Sequence, residues 1–245
     1  MKASKLFLFI KKILYVFYPK MEVEGKNHLP QEPCILVGNH AQIHGPIACE
    51  LYLPDTFTTW CAGQMMNLKE VPDYAFQDFW AKKPEISHCF YRSLSDLIAP
   101  LSVVLFNNAR TVPVYRDNRI LSTFKESIRQ LERGRSIVIF PEYDKAYNHI
   151  IYDFQERFID LAKIYYKKTG KEIKFVPLYI TPRLKKMVLG EPVSFDSQAE
   201  IEGERKRIRA ELMKKITFLG EKLPCHTVIP YRNIRKKDYP KNRGE

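Results

Sequence analysis

Apolar residues along the chain fall into short continuous runs that alternate with stretches of helical periodicity. Four largely apolar runs predict buried strands, because a strand covered on both faces is apolar at successive positions. These runs are Cys34–Val37, Thr111–Tyr115, Ser136–Phe140 and Ile173–Thr181. Their prolines place the second run near a sheet edge or strand start and interrupt the fourth at Pro177.

Helical spacing of apolar residues predicts the elements between these strands. A short helix starts at Pro46, and residues 120–131 predict a second helix that ends before Gly134. Ile151–Lys168 predicts a third, and residues 201–223 a last amphipathic helix with seven Lys or Arg between 205 and 222. Helices that alternate with buried strands are typical of a parallel sheet. The sequence therefore predicts a single α/β domain with a parallel-rich mixed sheet flanked by helices.

The N-terminal segment does not fit this alternation. Lys5–Tyr18 is apolar and rich in aromatic residues, with a Lys pair in its middle. It is too short and too charged to span a bilayer, and no small-residue cleavage site follows it. A helix that lies in the membrane interface fits this pattern, and a helix packed on the protein's own surface is the alternative.

The net charge of +12 is confined to the two ends of the chain. Residues 1–20 carry five Lys and no acidic residue, and residues 201–245 carry 13 Lys or Arg against 6 Asp or Glu. Basic flanks around a neutral body indicate an anionic partner, either a membrane or a nucleic acid. We therefore divide the chain into a membrane-interface helix (1–20), an α/β domain (21–198) and a basic C-terminal helix and tail (199–245). The tail from Pro230 is expected to be mobile.

Several functional classes lack their usual signals. The five cysteines form no Cys-x-x-Cys pair, so neither a disulfide framework nor a zinc site is indicated, and a reducing cytosol is favoured. His40 and His44 lack the His-Glu-x-x-His helix of a metal hydrolase. No nucleic-acid-binding module is recognisable, and the positive charge avoids the body of the protein.

Polar side chains follow three of the predicted strands. They are Asn39 and His40 after the first, Arg116 after the second, and Glu142, Asp144 and Lys145 after the third. Ligands of α/β sheets bind at the carboxyl ends of strands. A histidine there can act as a general base and a guanidinium can bind an anion, whereas a turn or helix cap is the alternative role for a lone histidine. Together these groups predict a transferase that acts on an anionic substrate.

At these positions the chain resembles the glycerolipid acyltransferases, the family of the bacterial lysophosphatidic acid acyltransferases. Four blocks carry the resemblance, in the family's order, between about residues 24 and 195. They are Asn39-His40, Val112–Arg116, Phe140–Glu142 and Val176–Leu178. The approach to the third block, Leu131–Ile139, is particularly similar. The resemblance implies the acyltransferase fold and an acyltransferase activity in phospholipid biosynthesis.

The resemblance also implies the roles of individual residues. His40 would deprotonate an acceptor hydroxyl, which attacks the thioester of acyl-CoA or acyl-carrier protein without a covalent acyl-enzyme, a metal or another cofactor. Glu142 would share the catalytic site. The substrate-binding candidates are Asn39, Arg116, Asp144 and Lys145. Membrane lipids and the acyl donor would be the partners, with no nucleic acid, and the protein would lie peripherally on the cytoplasmic face of the cell membrane.

One departure from the family pattern concerns the mechanism. The family has an Asp five residues after the His, where it orients the imidazole, and here that position holds Gly45. Three explanations are open. Another carboxylate, Glu142 or Asp144, orients His40; His44 assists; or the protein is a catalytically impaired lipid-binding member of the same fold.

Two further departures affect the surroundings of the site. The third block continues as Tyr143–Lys145, where the family has Gly-Thr-Arg, and the acidic residue there suits a less anionic acceptor. The long spacing between His40 and Arg116 indicates an insertion within residues 55–100. That stretch is rich in aromatic residues and Met, which predicts core packing, with the lining of a hydrophobic channel as the alternative.

Overall fold

The computed structural model describes residues 3–81 and 83–244. Contacts within the chain define two compact units, each assembled from two segments. The first unit contains the chain through Tyr18 and Thr59–Glu126, and the second contains Pro19–Thr58 and the chain from Ser127 onward. The N-terminal helix therefore groups with the aromatic-rich segment, and the basic C-terminal helix groups with the second unit.

The elements follow the chain in this order. The helices are α1 (Lys5–Phe17), α2 (His44–Tyr52), α3 (Val71–Ala75), α4 (His88–Asn108), α5 (Ile120–Glu132), α6 (Asp160–Thr169) and α7 (Ile201–Lys222). The strands are β1 (Glu22–Glu24), β2 (Ile35–Gly38), β3 (Phe57–Ala62), β4 (Thr111–Val114), β5 (Ser136–Ile139), β6 (Glu142–Ala146), β7 (Tyr152–Phe154), β8 (Lys174–Thr181), β9 (Lys186–Leu189) and β10 (Val193–Ser194).

The second unit is built on strands in the order β1-β9-β8-β2-β5, with β10 antiparallel to β8. β2 pairs in parallel with both neighbours, so that Ile35 lies opposite Ile137 and Phe175, and all three side chains are fully buried. β9 returns antiparallel along β8, which makes the sheet mixed. The flanking helices contribute buried side chains, such as Leu161 of α6 and Leu212 of α7. The predicted fold class, a mixed and mostly parallel sheet flanked by helices, is confirmed.

Two element predictions in this unit are wrong. β8 runs without interruption through Pro177, whose carbonyl accepts a hydrogen bond from the Gly190 N–H at 2.9 Å. A proline removes a single donor from the ladder and leaves its carbonyl in place. The helix predicted from Ile151 begins at Asp160, because Tyr152–Phe154 instead pairs with β6 as a strand. Apolar residues at 151 and 154 are compatible with either a helix or a strand, and the pairing with β6 selects the strand.

The first unit contains a parallel strand pair and two packed helices. β3 and β4 pair from Thr59 opposite Thr111 to Ala62 opposite Val114. α3 and α4 enclose a small core of Met65, Val71, Ala75 and Ala99, against which Tyr74 and Trp80 pack. Part of the aromatic-rich stretch is therefore core, whereas Phe79, Ile86 and Phe90 in the same stretch are exposed. Among the described residues, one helical stretch, Glu85–Asn108, is long and apolar enough to cross a membrane by length and composition, and 17% of its apolar window is buried.

The C-terminal tail folds back onto the second unit, which differs from the predicted mobile extension. Thr227 and Lys241 form an isolated antiparallel bridge. Asn242 is completely buried, although it lies three residues from the end of the chain. Its side chain is hydrogen-bonded to backbone groups that are distant in the sequence, so a pattern of neighbouring residues does not predict this packing.

Candidate active site

His40 lies on a tight turn between the end of β2 and the start of α2. Ala41 and Gln42 both have left-handed backbone, with φ of 45° and 56°. Such values are costly for residues other than glycine and are concentrated at functional sites. The Gly45 N–H closes the turn by donating to the His40 carbonyl at 3.0 Å, and α2 begins at His44, two residues before the predicted start. The turn holds His40 at the carboxyl edge of the sheet, where α/β folds bind ligands.

The Glu142 carboxylate lies against this turn, because β2 and β5 are parallel neighbours whose carboxyl ends meet. Its Oε2 accepts from the His40 N–H at 2.6 Å, and its Oε1 accepts from the Tyr152 N–H at 2.8 Å. The residue is 3% exposed, and burial raises the pKa of Glu142 to about 7, while the two N–H donors act in the opposite direction. Through these bonds Glu142 positions the backbone of His40.

The His40 imidazole lies between two aromatic rings. The Phe140 ring contacts it edge-on with centroids 5.3 Å apart, and the Tyr231 ring does so at 6.0 Å. Burial lowers the pKa of His40 from 6.5 to about 4, and a hydrogen bond to the backbone of Gln42 opposes this change. The imidazole is therefore neutral at physiological pH, with a lone pair available to accept a proton.

The backbone at Gly45 leaves no room for a side chain. A Cβ atom at this position would lie 2.5 Å from the His40 carbonyl oxygen and 3.0 Å from the Phe140 ring. An Asp at this place would require the turn to move, so the turn itself is built around glycine. The neighbouring His44 is partly buried, and burial, followed by the charge of Arg183, lowers the pKa of its imidazole.

Asn39 joins the end of β2 to β8. Its Nδ2 donates to the Ile180 carbonyl at 3.0 Å, and its Oδ1 accepts from the Ile180 N–H at 2.7 Å. The residue is 2% exposed. These two hydrogen bonds fix the end of β2 immediately before His40. The amide of Asn39 therefore has a structural role in addition to its predicted role in substrate binding.

The two candidates on β6, Asp144 and Lys145, are exposed side chains in ion pairs. The Arg232 guanidinium lies 3.4 Å from the Asp144 carboxylate. The Lys145 ammonium lies 3.5 Å from Asp153, a buried carboxylate that Arg209 also contacts. The charges of Asp144 and Lys145 are therefore partly balanced by Arg232 and Asp153, two residues that the sequence alone did not place near them.

Arg116 follows β4 and belongs to the first unit, whereas His40 belongs to the second. The neighbouring Asp117 carboxylate is bound by the Arg119 guanidinium at 2.7 Å. Desolvation raises the pKa of Asp78, and the charge of Arg116 opposes this shift. Of the predicted residues, the structure brings together Asn39, His40 and Glu142.

Four aromatic or polar residues around His40 were not predicted from the sequence. Tyr152 supplies an N–H to Glu142, and its ring lies 5.8 Å from that of Tyr231. The Gln42 amide donates to the Tyr239 hydroxyl at 2.9 Å. The sequence shows Tyr231 and Tyr239 in a basic tail, but it does not indicate where that tail packs.

No metal centre marks this site within the described residues. No group of three or more His, Cys, Asp or Glu side chains there is arranged to hold a metal ion. Two surface cavities of the second unit have volumes of about 360 and 620 Å³. The first is lined by residues around Tyr143 and Arg209, the second by residues around Tyr147 and Phe218, and His40 lines neither.

Comparison with known proteins supports the fold. No family model matches the chain, and no curated protein matches it in sequence. The chain is similar in structure to the crystal structure of the 1-acyl-sn-glycerophosphate (LPA) acyltransferase PlsC from Thermotoga maritima, with a TM-score of 0.51 and 16% sequence identity. The match covers 90% of this chain and 80% of that one. This likeness establishes that the protein has the fold of a glycerolipid acyltransferase.

Proposed function

We propose that this protein transfers an acyl chain from acyl-CoA or acyl-carrier protein to a hydroxyl of a lysophospholipid-like acceptor. The observation that carries the proposal is the buried Glu142 carboxylate, which fixes the His40 turn at the carboxyl edge of the sheet. The neutral imidazole has the lone pair that a general base needs, and burial makes it a weaker base than a free histidine. The similar fold of an LPA acyltransferase supports the same class of reaction.

The reaction requires one base and no covalent intermediate. The neutral His40 imidazole takes the proton of the acceptor hydroxyl as the oxygen attacks the thioester carbonyl. The carbon–sulfur bond then breaks, and the leaving thiolate takes up a proton, so that an ester and a free thiol are formed. Because burial disfavours the imidazolium ion, proton transfer onward to the thiolate is favoured once the bond breaks.

The substrate-binding roles rest on charge and position. Lys145 lies on the exposed strand beside the His40 turn, where an ammonium group can contact an anionic headgroup. Asp144 next to it favours an acceptor with less negative charge than lysophosphatidic acid. Asn39 would act through its position before His40, and Arg116 is a candidate phosphate ligand because of its fixed guanidinium charge.

Acyl substrates are held in membranes, so the protein would act at a bilayer surface. α1 exposes apolar side chains to solvent, among them Phe9 at 62%, Val16 at 67% and Phe17 at 83%. α4, in the same unit, exposes Phe90 and Leu97. Lysines on α1 would add about 1 kcal/mol each near an anionic surface. We propose that these two helices dock the protein peripherally on the cytoplasmic face of the cell membrane.

The proposed activity is tested by free-thiol release from a long-chain acyl-CoA in the presence of lysophosphatidic acid and detergent. Release is expected from the wild-type protein with acceptor, and a loss of at least 100-fold from His40→Ala, because general-base catalysis contributes about 10² to 10⁴ in rate. His28→Ala is the matched control, since the imidazole of that histidine contacts the Leu189 carbonyl on β9 at 3.0 Å. Release that does not depend on His40 would contradict the mechanism.

The second candidate function is a lipid-binding protein of the same fold without turnover, at the same membrane surface. Gly45 favours it, because an Asp that orients the imidazole is worth about 10⁴ in the turnover of a serine protease. Under this alternative, lysolipid binding would be measurable and equal in the wild type and His40→Ala. Thiol release would be absent with acyl-CoA, with acyl-carrier protein and with every lysolipid tried.

A further inference from the structure

The His40 imidazole lacks the carboxylate that would orient it in the family it resembles. The Gly45 backbone excludes a side chain at that position. The nearest buried carboxylate, Glu142, uses its two oxygens for the N–H groups of His40 and Tyr152. The imidazole has a hydrogen bond to the backbone of Gln42 on the same turn. The other groups that contact it are aromatic rings.

The C-terminal loop, residues 229–239, supplies one of these groups. Its two ends are held together, because the Val228 N–H donates to the Pro240 carbonyl at 2.9 Å and Thr227 bridges to Lys241. A loop closed in this way is a compact surface element of fixed position.

Asn242 anchors the closed end of the loop in the core. Its Oδ1 accepts from the His226 N–H at 2.9 Å, and its Nδ2 donates to the Gly220 carbonyl at 2.9 Å and the Leu223 carbonyl at 3.2 Å. The His149 Nε2 lies 2.8 Å from the Asn242 carbonyl oxygen. The C-terminal loop is therefore attached to the end of α7, and the direction in which it leaves is fixed.

From this anchor the C-terminal loop crosses the His40 turn. The Tyr231 ring meets the imidazole edge-on, with an interplanar angle of 85°. Tyr239 accepts from the Gln42 amide, and Arg232 pairs with Asp144 on β6. Two of these contacts are thus made to the turn and one to β6, and one of the two is made to the imidazole itself.

We propose that Tyr231 is a positioning residue of the acyl transfer, and that with Phe140 it clamps the His40 imidazole where the family uses a carboxylate. This inference rests on the proposed function. Edge-to-face aromatic pairs have a preferred geometry and fix ring orientation without a charge. A clamp of this kind orients the neutral base, but unlike a carboxylate it does not stabilise the imidazolium ion.

The clamp also explains the protonation behaviour of His40. Burial is the main cause of its lowered pKa, and Tyr231 contributes part of that burial. The other titratable and charged groups on the surrounding elements include Glu142, Asp144, Lys145, Tyr152, His44, Arg232 and Tyr239. None of them is substituted in the test, so a change in the pKa of His40 reports the loss of the ring.

The test compares Tyr231→Ala with Tyr231→Phe in the full chain, with Asn233→Ala as the matched control on an exposed position of the same loop. The His40 imidazole is titrated by NMR, with its signal assigned from a His40→Gln variant. We expect the His40 pKa to stay near 4 in Tyr231→Phe and Asn233→Ala, and to rise toward 6.5 in Tyr231→Ala. In thiol-release kinetics, kcat should fall about five- to tenfold in Tyr231→Ala, with KM unchanged.

Two outcomes would overturn the clamp. One is a His40 pKa in Tyr231→Ala equal to that of the wild type, and the other is an equal loss in Tyr231→Phe, which would assign the effect to the hydroxyl. The titration needs no turnover, so an inactive wild type would refute the proposed function and leave the clamp testable. If Tyr231→Ala fails to fold, the wild-type protein provides the test. The clamp requires nuclear Overhauser contacts between the Tyr231 and His40 rings, and their absence would overturn it.

Discussion

At the scale of single residues, Glu142 has the largest structural effect on the site. It satisfies two backbone N–H groups that would otherwise lie without partners inside the fold, at the turn that carries His40. Buried donors that lose their acceptor cost more than the hydrogen bond itself contributed, because they were already removed from water. The stability of the fold and the geometry of the site therefore depend on the same carboxylate.

Glu142→Gln should lower both stability and turnover. The amide keeps the size of the side chain but directs an NH2 group at one of the two N–H donors. We expect the free energy of unfolding in urea to fall by about 1–3 kcal/mol. Glu191→Gln is the control, since that carboxylate is 79% exposed. Equal unfolding free energies for Glu142→Gln and the wild type would contradict the role assigned to Glu142.

His40 should make the protein less stable in mild acid. Its pKa is about 4 when folded and near 6.5 otherwise, so the unfolded chain binds the proton first as the pH falls. The stabilising contribution of the neutral His40 is therefore complete above pH 6.5 and is lost as the pH falls to about 4, by at most about 3.5 kcal/mol at about 1.4 kcal/mol per pKa unit. The contribution of Glu142, whose pKa is raised, changes with pH in the opposite direction. It is lost as the pH rises from 4.5 to about 7.

The comparison that isolates His40 is the difference in unfolding free energy between the wild type and His40→Gln, measured in urea at several pH values. This difference should change between pH 6.5 and pH 4 and be constant from pH 7 to pH 8. A difference that stays constant over the whole range would mean that His40 titrates normally in the folded protein.

At the scale of elements, α1 combines a buried anchor with an exposed apolar face. Phe7 is 6% exposed, whereas Val16 and Phe17 near the C-terminal end of the helix are among the most exposed apolar side chains of the chain. Ser4 caps the helix, and its own N–H donates to Asn108 of α4 at 2.7 Å. The helix is thus attached to its unit and still presents an apolar face that a membrane interface can cover.

Replacing the exposed end of α1 should abolish membrane docking and leave the fold intact. Val16→Glu with Phe17→Glu removes two apolar side chains that would be buried in the interface, and we expect binding to anionic vesicles to fall at least tenfold. The measurement is flotation with the vesicles. Ile164→Glu on α6, at a position 39% exposed, serves as the control. Unchanged flotation of the double variant would exclude α1 as the docking element.

At the scale of the whole molecule, the positive charge is distributed unevenly along the sequence. The net charge of +12 comes from the two terminal regions, while residues 21–200 are neutral in sum. Most of the C-terminal basic residues lie on α7 and the C-terminal loop, where Arg232 and Arg235 are already paired with carboxylates. The remaining charge produces a long-range attraction to anionic surfaces that depends on salt.

Vesicle binding should therefore weaken with ionic strength. Between 0.05 and 0.5 M salt the Debye length shrinks several-fold, so we expect affinity for anionic vesicles to fall at least tenfold. Binding to zwitterionic vesicles should be weak and insensitive to salt. Salt-independent binding to both kinds of vesicle would show that the apolar face alone is responsible for docking.

The sequence by itself determined the central strands and the order of the polar blocks. β2 and β5 could be predicted because a strand buried on both faces is apolar at every position. Gly134 could be assigned as a helix end because glycine tolerates the positive φ that this position has. These features depend on neighbours within a few residues. Residues 152–154 form a strand where the sequence predicted a helix. The strand depends on pairing with β6, and a short apolar pattern does not show which segment will pair with it.

The tertiary structure alone decided how His40 is held. Glu142 contacts it from 102 residues away, and Tyr231 reaches it from the last element of the chain. The sequence indicated that Gly45 lacks the expected carboxylate, but only the backbone around it shows that no side chain fits there. Periodicity and motifs describe local chemistry, whereas the burial and orientation of a side chain depend on which distant segments the fold packs against it.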